Sequence, residues 1–278
     1  SALLKSIRRN FDEHTPMPFL ANGICEGASD AFFVSLIEDI RDICGCSLII
    51  CPEEKDCVRM SELFSQFGLS SAFFSGRDFT FHNIVASHEF EHERLCVLFG
   101  ILRGSYDAVL TTPDVALGYT IPKKRLKDAS LRIDTDTSTG PAHLTQRLVA
   151  AGYARVDMVD GAGQFAQRGG IVDIYPANGV YVGVGDDGDV GKEKQGAFPI
   201  RVEFFGDEVD RLGCFDVETQ RVTEALVSVE FPPAREVLID GEALENLKKA
   251  VSTAFATAGS NNERAISRLV AEKAVLDG

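Results

Sequence analysis

The spacing of apolar residues changes part-way along this chain, and that change limits the fold more than any other feature. Up to about residue 126, helical spacing alternates with short apolar runs. Phe32, Phe33, Leu36, Ile37, Ile40 and Ile43 recur every three or four positions, after Ser29 as a candidate N-cap and before Gly45 as a stop. Ser47 to Cys51 reads as a short buried strand, and Met60, Leu63, Phe64 and Phe67 mark a helix ended by Gly68. A strand at Ser71 to Phe74, a helix from Ser87 to Arg103 closed by Gly104, and a strand at Tyr106 to Thr111 complete the pattern. Strands alternating with helices of this length predict an α/β domain with a mainly parallel sheet.

From about Ser130 to Phe231 the pattern differs. One helix, Pro141 to Ala151, precedes several strand-like segments separated by Gly-rich turns, which predicts a second domain of α+β type. Within it, Asn178 to Phe198 reads as a long Gly- and Asp-rich connection with a solvated tip at Asp186 to Asp189. After Asp240 two helices are expected, Glu242 to Ala256 and Asn262 to Leu276, the second with no clear finish. The expected division is 1–129, 130–231 and 232–278, and 278 residues suit roughly two domains.

The chain has 28 basic and 42 acidic residues, a net charge of −14. Affinity for DNA rests largely on Lys and Arg neutralising phosphates, so this balance disfavours nucleic acid, and no Lys/Arg cluster is read that would form a basic groove. A protein partner is expected instead. No apolar run approaches the ~20 residues of a membrane helix, and no signal-peptide pattern opens the chain. The first residue is Ser1 and not an initiator Met, so the start is expected to be a processed or engineered end. Seven cysteines without a secretory signal point to reduced thiols in a cytoplasmic protein.

The segment Arg201 to Val209 reads R-V-E-F-F-G-D-E-V. As a strand, it turns Val202 and Phe204 one way and Arg201, Glu203 and Phe205 the other. A cation, an anion and an aromatic ring on the face away from the core suggest a docking surface, since aromatic and Arg anchors dominate interface hot spots. The alternative is a solvated sheet face carrying cross-strand ion pairs.

These residues carry a resemblance. Arg168 to Ala177 (R-G-G-I-V-D-I-Y-P-A) and the Arg201 segment resemble the UvrA-binding module shared by the excision-repair subunit UvrB and the transcription-repair coupling factors (Mfd). The coupling factors are the closer match, through L-V-A-A-G-Y-A-R-V-D-M-V at Leu148 to Val159, G-Q-F-A-Q-R-G-G at Gly163 to Gly170, and F-D-V-E-T-Q-R at Phe215 to Arg221. The likeness is strong from about Phe73 to Leu238. It implies a degenerate RecA-like (helicase-like) parallel-sheet domain with an inserted α+β domain that binds UvrA, and a helical return to the first domain, cut short at the chain's end. It assigns UvrA contacts to Arg168, Arg201, Glu203 and Phe205, with Gly169 and Gly170 read as a bulge that re-aims Arg168. It implies a non-catalytic adaptor without a cofactor, whose full-length relatives are ATP- and magnesium-dependent DNA translocases acting on RNA polymerase and upstream DNA. An N-terminal piece of UvrB is the alternative.

Three other constellations bear on function. A phosphate loop needs glycines, a Lys and a Ser/Thr. At the corresponding place stands G-I-C-E-G-A-S-D, with Gly23 and Gly27 as the glycine pair, Ala28 in place of the Lys, and Ser29. UvrB carries an intact loop, so this degenerate one favours the coupling factors. His88, Glu89 and His92 formally match H-E-x-x-H, the signature of a zinc metallopeptidase, but no third ligand is evident. Cys44, Cys46, Cys51 and Cys57 fit no standard zinc spacing and are expected to be buried thiols.

Overall fold

The computed structural model describes residues 28–76, 88–136, 138–184 and 190–238, with isolated positions beyond them. The chain divides into two compact units, 1–236 and 237–278, and every strand among the described residues belongs to the first. The two helices expected after Asp240, apart from three single positions, and the loop tip at 186–189 lie outside the described residues.

The first part of that unit follows the sequence pattern in order: α1 (Ser29–Ile40), β1 (Ser47–Ile50), α2 (Glu54–Gln66), β2 (Ser71–Phe73), α3 (Glu89–Arg103), β3 (Ala108–Thr111), α4 (Pro113–Ala116) and α5 (Lys123–Ala129). The three strands form a parallel sheet in the order β1-β3-β2. All four residues of β3 are buried, as expected where a parallel sheet is covered on both faces. Ala108 and Leu110 join Val34, Ile37, Cys57, Met60 and Phe64 on one side, while Val109 joins Phe74, Val97 and Val115 on the other. Ser29 does not cap α1. Ala28 already has helical dihedrals at the cap position, so Ser29 lies inside the helix and no side chain caps it.

The second part comprises β4 (Leu131–Asp134), α6 (Pro141–Ala150), β5 (Ala154–Arg155), β6 (Gln164–Arg168), β7 (Ile171–Tyr175), β8 (Gly179–Val184), β9 (Val190–Gly196), β10 (Ile200–Phe205), β11 (Glu208–Phe215) and β12 (Val222–Phe231). They build a mainly antiparallel sheet in the order β5-β6-β7-β10-β11-β12-β8-β9, with β4 also on β12. The ten-residue β12 pairs with β11 through its first half and with β8 and β4 through its second. One face packs a single core in which Leu144 and Leu148 of α6 meet Phe165, Val172, Ile174, Ile200, Val202 and Phe231. Burying each such side chain contributes about 1.5–3 kcal/mol.

Asn178 to Phe198 is a β-hairpin, not a long connection: β8 pairs with both β9 and β12. The apolar residues of G-V-Y-V-G-V explain this, since Val180 is buried and the Tyr181 ring sits 4.2 Å from that of Phe198. Gly179 reflects close approach, because a Cβ there would stand 3.0 Å from the Glu230 carbonyl oxygen.

The two parts are tied through α3. Arg94 grips Glu236 with Nε–Oε2 at 2.9 Å and Nη2–Oε1 at 3.2 Å, its guanidinium lies 4.1 Å over the Phe74 ring, and it donates to the Ser75 carbonyl. Both charged side chains are essentially fully buried. Nearby, the Glu236 amide donates to Glu91 Oε1 at 2.7 Å and the Tyr153 hydroxyl donates to the Pro232 carbonyl at 2.8 Å. Burial pushes the Tyr153 phenol well above its ordinary value.

Candidate protein-docking site

The alternation along β10 holds. Ile200 and Val202 are fully buried, Phe204 packs against the core, Arg201 and Glu203 are half-buried on the opposite face, and Phe205 is 82% exposed. A two-residue turn, Gly206–Asp207, follows; Gly206 has φ 64, as a II′ hairpin turn requires at its first position. Glu203 pairs with Arg211 but Phe204 pairs with Val209, so Asp210 is an extra residue in β11. This bulge returns Val209 to the core and leaves both Asp210 and Arg211 facing solvent.

Register carries the outer face across four strands. Arg168 on β6 pairs with Ile171 on β7, Ile171 with Glu203 on β10, and Glu203 with Arg211 on β11. Gly169 and Gly170 are the two-residue loop of the β6–β7 hairpin, not a bulge within a strand. That loop sets Arg168 on the face of Glu203, so the structure brings three of the expected residues into one row or its immediate neighbourhood: Arg168, Glu203 and, one row away, Arg201.

Arg201 is held more firmly than alternation suggests. It pairs across the sheet with Asp173. Its Nε donates to Asp173 Oδ1 at 2.7 Å, Nη2 to Asp173 Oδ2 at 2.9 Å and to Gln220 Oε1 at 3.0 Å, and Nη1 to the Gln220 carbonyl at 2.9 Å. The guanidinium lies 4.6 Å over the Phe215 ring. Bonding to the Asp173 carboxylate raises the Arg201 pKa further above an already high value. Asp173 is 4% exposed and Phe215 2%, so a small buried cluster sits within the otherwise exposed outer face. Beside it, Glu203, Asp210, Arg211, Gly213 and the half-exposed Val222 line a groove of about 310 Å³. Asp173, Gln220, Phe215 and Arg211 were not singled out in the sequence. Alternation applied to Ile171–Tyr175 would have placed Asp173 opposite the core; nothing local marks Gln220.

The other constellations resolve differently. At the candidate phosphate loop, Gly23 and Gly27 are separated by three residues where the motif has four, and Gly27 lies outside the described residues. Ala28 offers a methyl group where the ammonium is needed, and Asp30 in the first turn of α1 pairs with Arg59. These residues do not fit a nucleotide. At His88-Glu89-His92, the His88 Nδ1 is 2.6 Å from Arg235 Nη1 and the two imidazole rings are 6.2 Å apart. A guanidinium against the His88 ring nitrogen disfavours a bound cation, and no group of three candidate ligands occurs among the described residues. Burial pushes the Cys57 thiol up to about 12. α5 gathers Lys123, Lys124, Arg125 and Lys127, with Lys124 paired to Asp128 at 3.1 Å.

Residues 131–237 match the family model of the UvrB interaction domain. The chain is 31% identical over 173 residues to the transcription-repair-coupling factor of Bacillus subtilis (strain 168), a match covering 62% of this chain and 13% of that protein. The chain resembles the coupling factors. The same name belongs to a Haemophilus influenzae protein 24% identical over 219 residues, covering 78% of this chain and 18% of its own length, and to a Staphylococcus aureus (strain MRSA252) protein 32% identical over 126 residues, covering 45% and 9%. The chain therefore spans a small fraction of the relatives it matches. All the outer-face residues described above fall inside the matched 131–237. The fold is mixed α/β with a parallel sheet, and no helix among the described residues is long and apolar enough to cross a membrane.

Proposed function

We propose that this chain is the non-catalytic UvrA-docking part of a cytoplasmic transcription-repair coupling factor, bringing nucleotide excision repair to stalled RNA polymerase. The observation that carries this reading is the outer face of β10, inside a UvrB interaction domain, with Phe205 82% exposed beside a row of charged residues. Phe205 supplies aromatic area that is desolvated on docking. Arg168 and Arg211 offer exposed cations to UvrA carboxylates, and Glu203 between them answers a UvrA cation. Arg201 contributes from its clamped position. The three-stranded part is read as a degenerate helicase-like domain that supports the docking domain at 130–231. Its loop at Gly23–Ser29 lacks the Lys of a phosphate site, which supports a part with no ATP or magnesium of its own. In the full-length protein a separate motor takes ATP and magnesium and engages RNA polymerase and upstream DNA.

UvrB and this chain then use a common site on UvrA. Immobilised chain is expected to retain purified UvrA and to release it when excess UvrB is added. UvrA that stays bound in the presence of UvrB contradicts the shared-site reading, and UvrA that never binds contradicts docking altogether.

A further inference from the structure

Gln220 is the only non-glycine residue with positive φ among the described residues, at 59°. A side chain with a Cβ is disfavoured there and persists only where its surroundings over-determine it. The F-D-V-E-T-Q-R turn does so. The Asp216 amide donates to the Arg221 carbonyl at 2.9 Å and the Gln220 amide to the Asp216 carbonyl at 2.8 Å. Asp216 Oδ1 accepts from both the amide and the hydroxyl of Thr219 at 2.7 Å, and Gln220 Nε2 donates to the Val217 carbonyl at 2.8 Å. The result points two acceptors of one residue, its carbonyl and its Oε1, at Arg201. Asp173 closes the opposite side with both carboxylate oxygens.

These bonds occupy four of the five N–H donors of the guanidinium. Arg201 has one N–H left and cannot make a two-pronged grip on a partner carboxylate. We propose that Asp173 and Gln220 are positioning residues of the docking face, fixing Arg201 over the Phe215 ring so that UvrA meets a prearranged wall of the Glu203–Arg211 groove rather than a mobile cation. This rests on the docking reading above. Its physical advantage is that the rotamer freedom of a long side chain is lost in folding, not in binding.

The test separates the clamp from the docking. ¹⁵N NMR of the arginine side chains reports rotation about the Cζ–Nε bond: a clamped Arg201 gives separate, slowly exchanging Nη signals. Asp173→Asn and Gln220→Gly are each expected to merge those signals. Gln220→Gly suits the backbone better, so its melting temperature is expected to hold or rise while UvrA affinity falls by roughly three- to tenfold. Asp173→Asn is expected to weaken binding by roughly tenfold or more. A purely structural role does not move stability and affinity in opposite directions. Merged Nη signals in the wild-type chain overturn the clamp. Variants that free Arg201 yet bind UvrA like wild type overturn its positioning role. A wild-type chain that clamps Arg201 but binds no UvrA overturns the docking reading, and the purpose of the clamp with it.

Discussion

Arg94 and Arg201 stand in matching surroundings at two places in this molecule. Each grips a carboxylate with Nε and Nη2, lies over a phenylalanine ring, and donates Nη1 to a backbone carbonyl. The difference is access to water. The Arg94 side chain is 3% exposed and its partner Glu236 2%, at the junction of α3 with the segment after β12; the Arg201 side chain is 15% exposed on an open sheet face. A buried ion pair contributes little net stability but is very costly to break, because the surviving charge has no water to turn to. The same chemistry therefore acts as a structural bolt in one place and as a fixed feature of a surface in the other.

The largest expected effect comes from breaking the bolt. Arg94→Met removes the guanidinium that grips the buried Glu236 carboxylate and is expected to cost about 3–5 kcal/mol in chemical denaturation. On the open face, neutralising the anion with Asp173→Asn is expected to cost only about 1–2 kcal/mol, since Arg201 keeps Gln220 and reaches solvent. Equal costs at the two sites would mean that access to water does not distinguish the two ion pairs. For Phe205→Ala, stability is expected to stay within about 0.5 kcal/mol while UvrA binding weakens by about 2 kcal/mol. Arg211→Ala, at an exposed position, is expected to weaken binding by about 1 kcal/mol.

The smallest effect belongs to pH and again distinguishes the regions. Burial, then the neighbouring His88 and Arg235, lowers the His92 pKa from its ordinary 6.5, with Glu91 opposing. The unfolded chain then takes up the proton first. Between 6.5 and the lowered folded value, stability is lost as pH falls, and melting temperatures should drop through that window. His92→Gln is expected to flatten the profile without altering UvrA affinity at pH 7.5.

Much of this was legible in the chain. Helices α1 to α3 announce themselves because apolar residues recur at helical spacing, and β10 because Val202 and Phe204 alternate with Arg201, Glu203 and Phe205. What stayed hidden depends on partners distant in sequence. Asp173 sits in an apolar run and finds Arg201 only through the β7–β10 register, which no local pattern fixes. The glycines of the β8–β9 hairpin looked like loop residues, although Gly179 is there because the Glu230 backbone comes close. The bulge at Asp210 is likewise silent in sequence, yet it decides that Arg211 joins the exposed row.

Docking of UvrA on the outer face around β10 underlies the proposed function. Calorimetric titration of UvrA with the wild-type chain and with Phe205→Ala tests it most directly. Saturable binding is expected for wild type, and binding weakened by about 2 kcal/mol for a variant that melts at the same temperature. Equal affinity of the two proteins, or no binding by either, contradicts it.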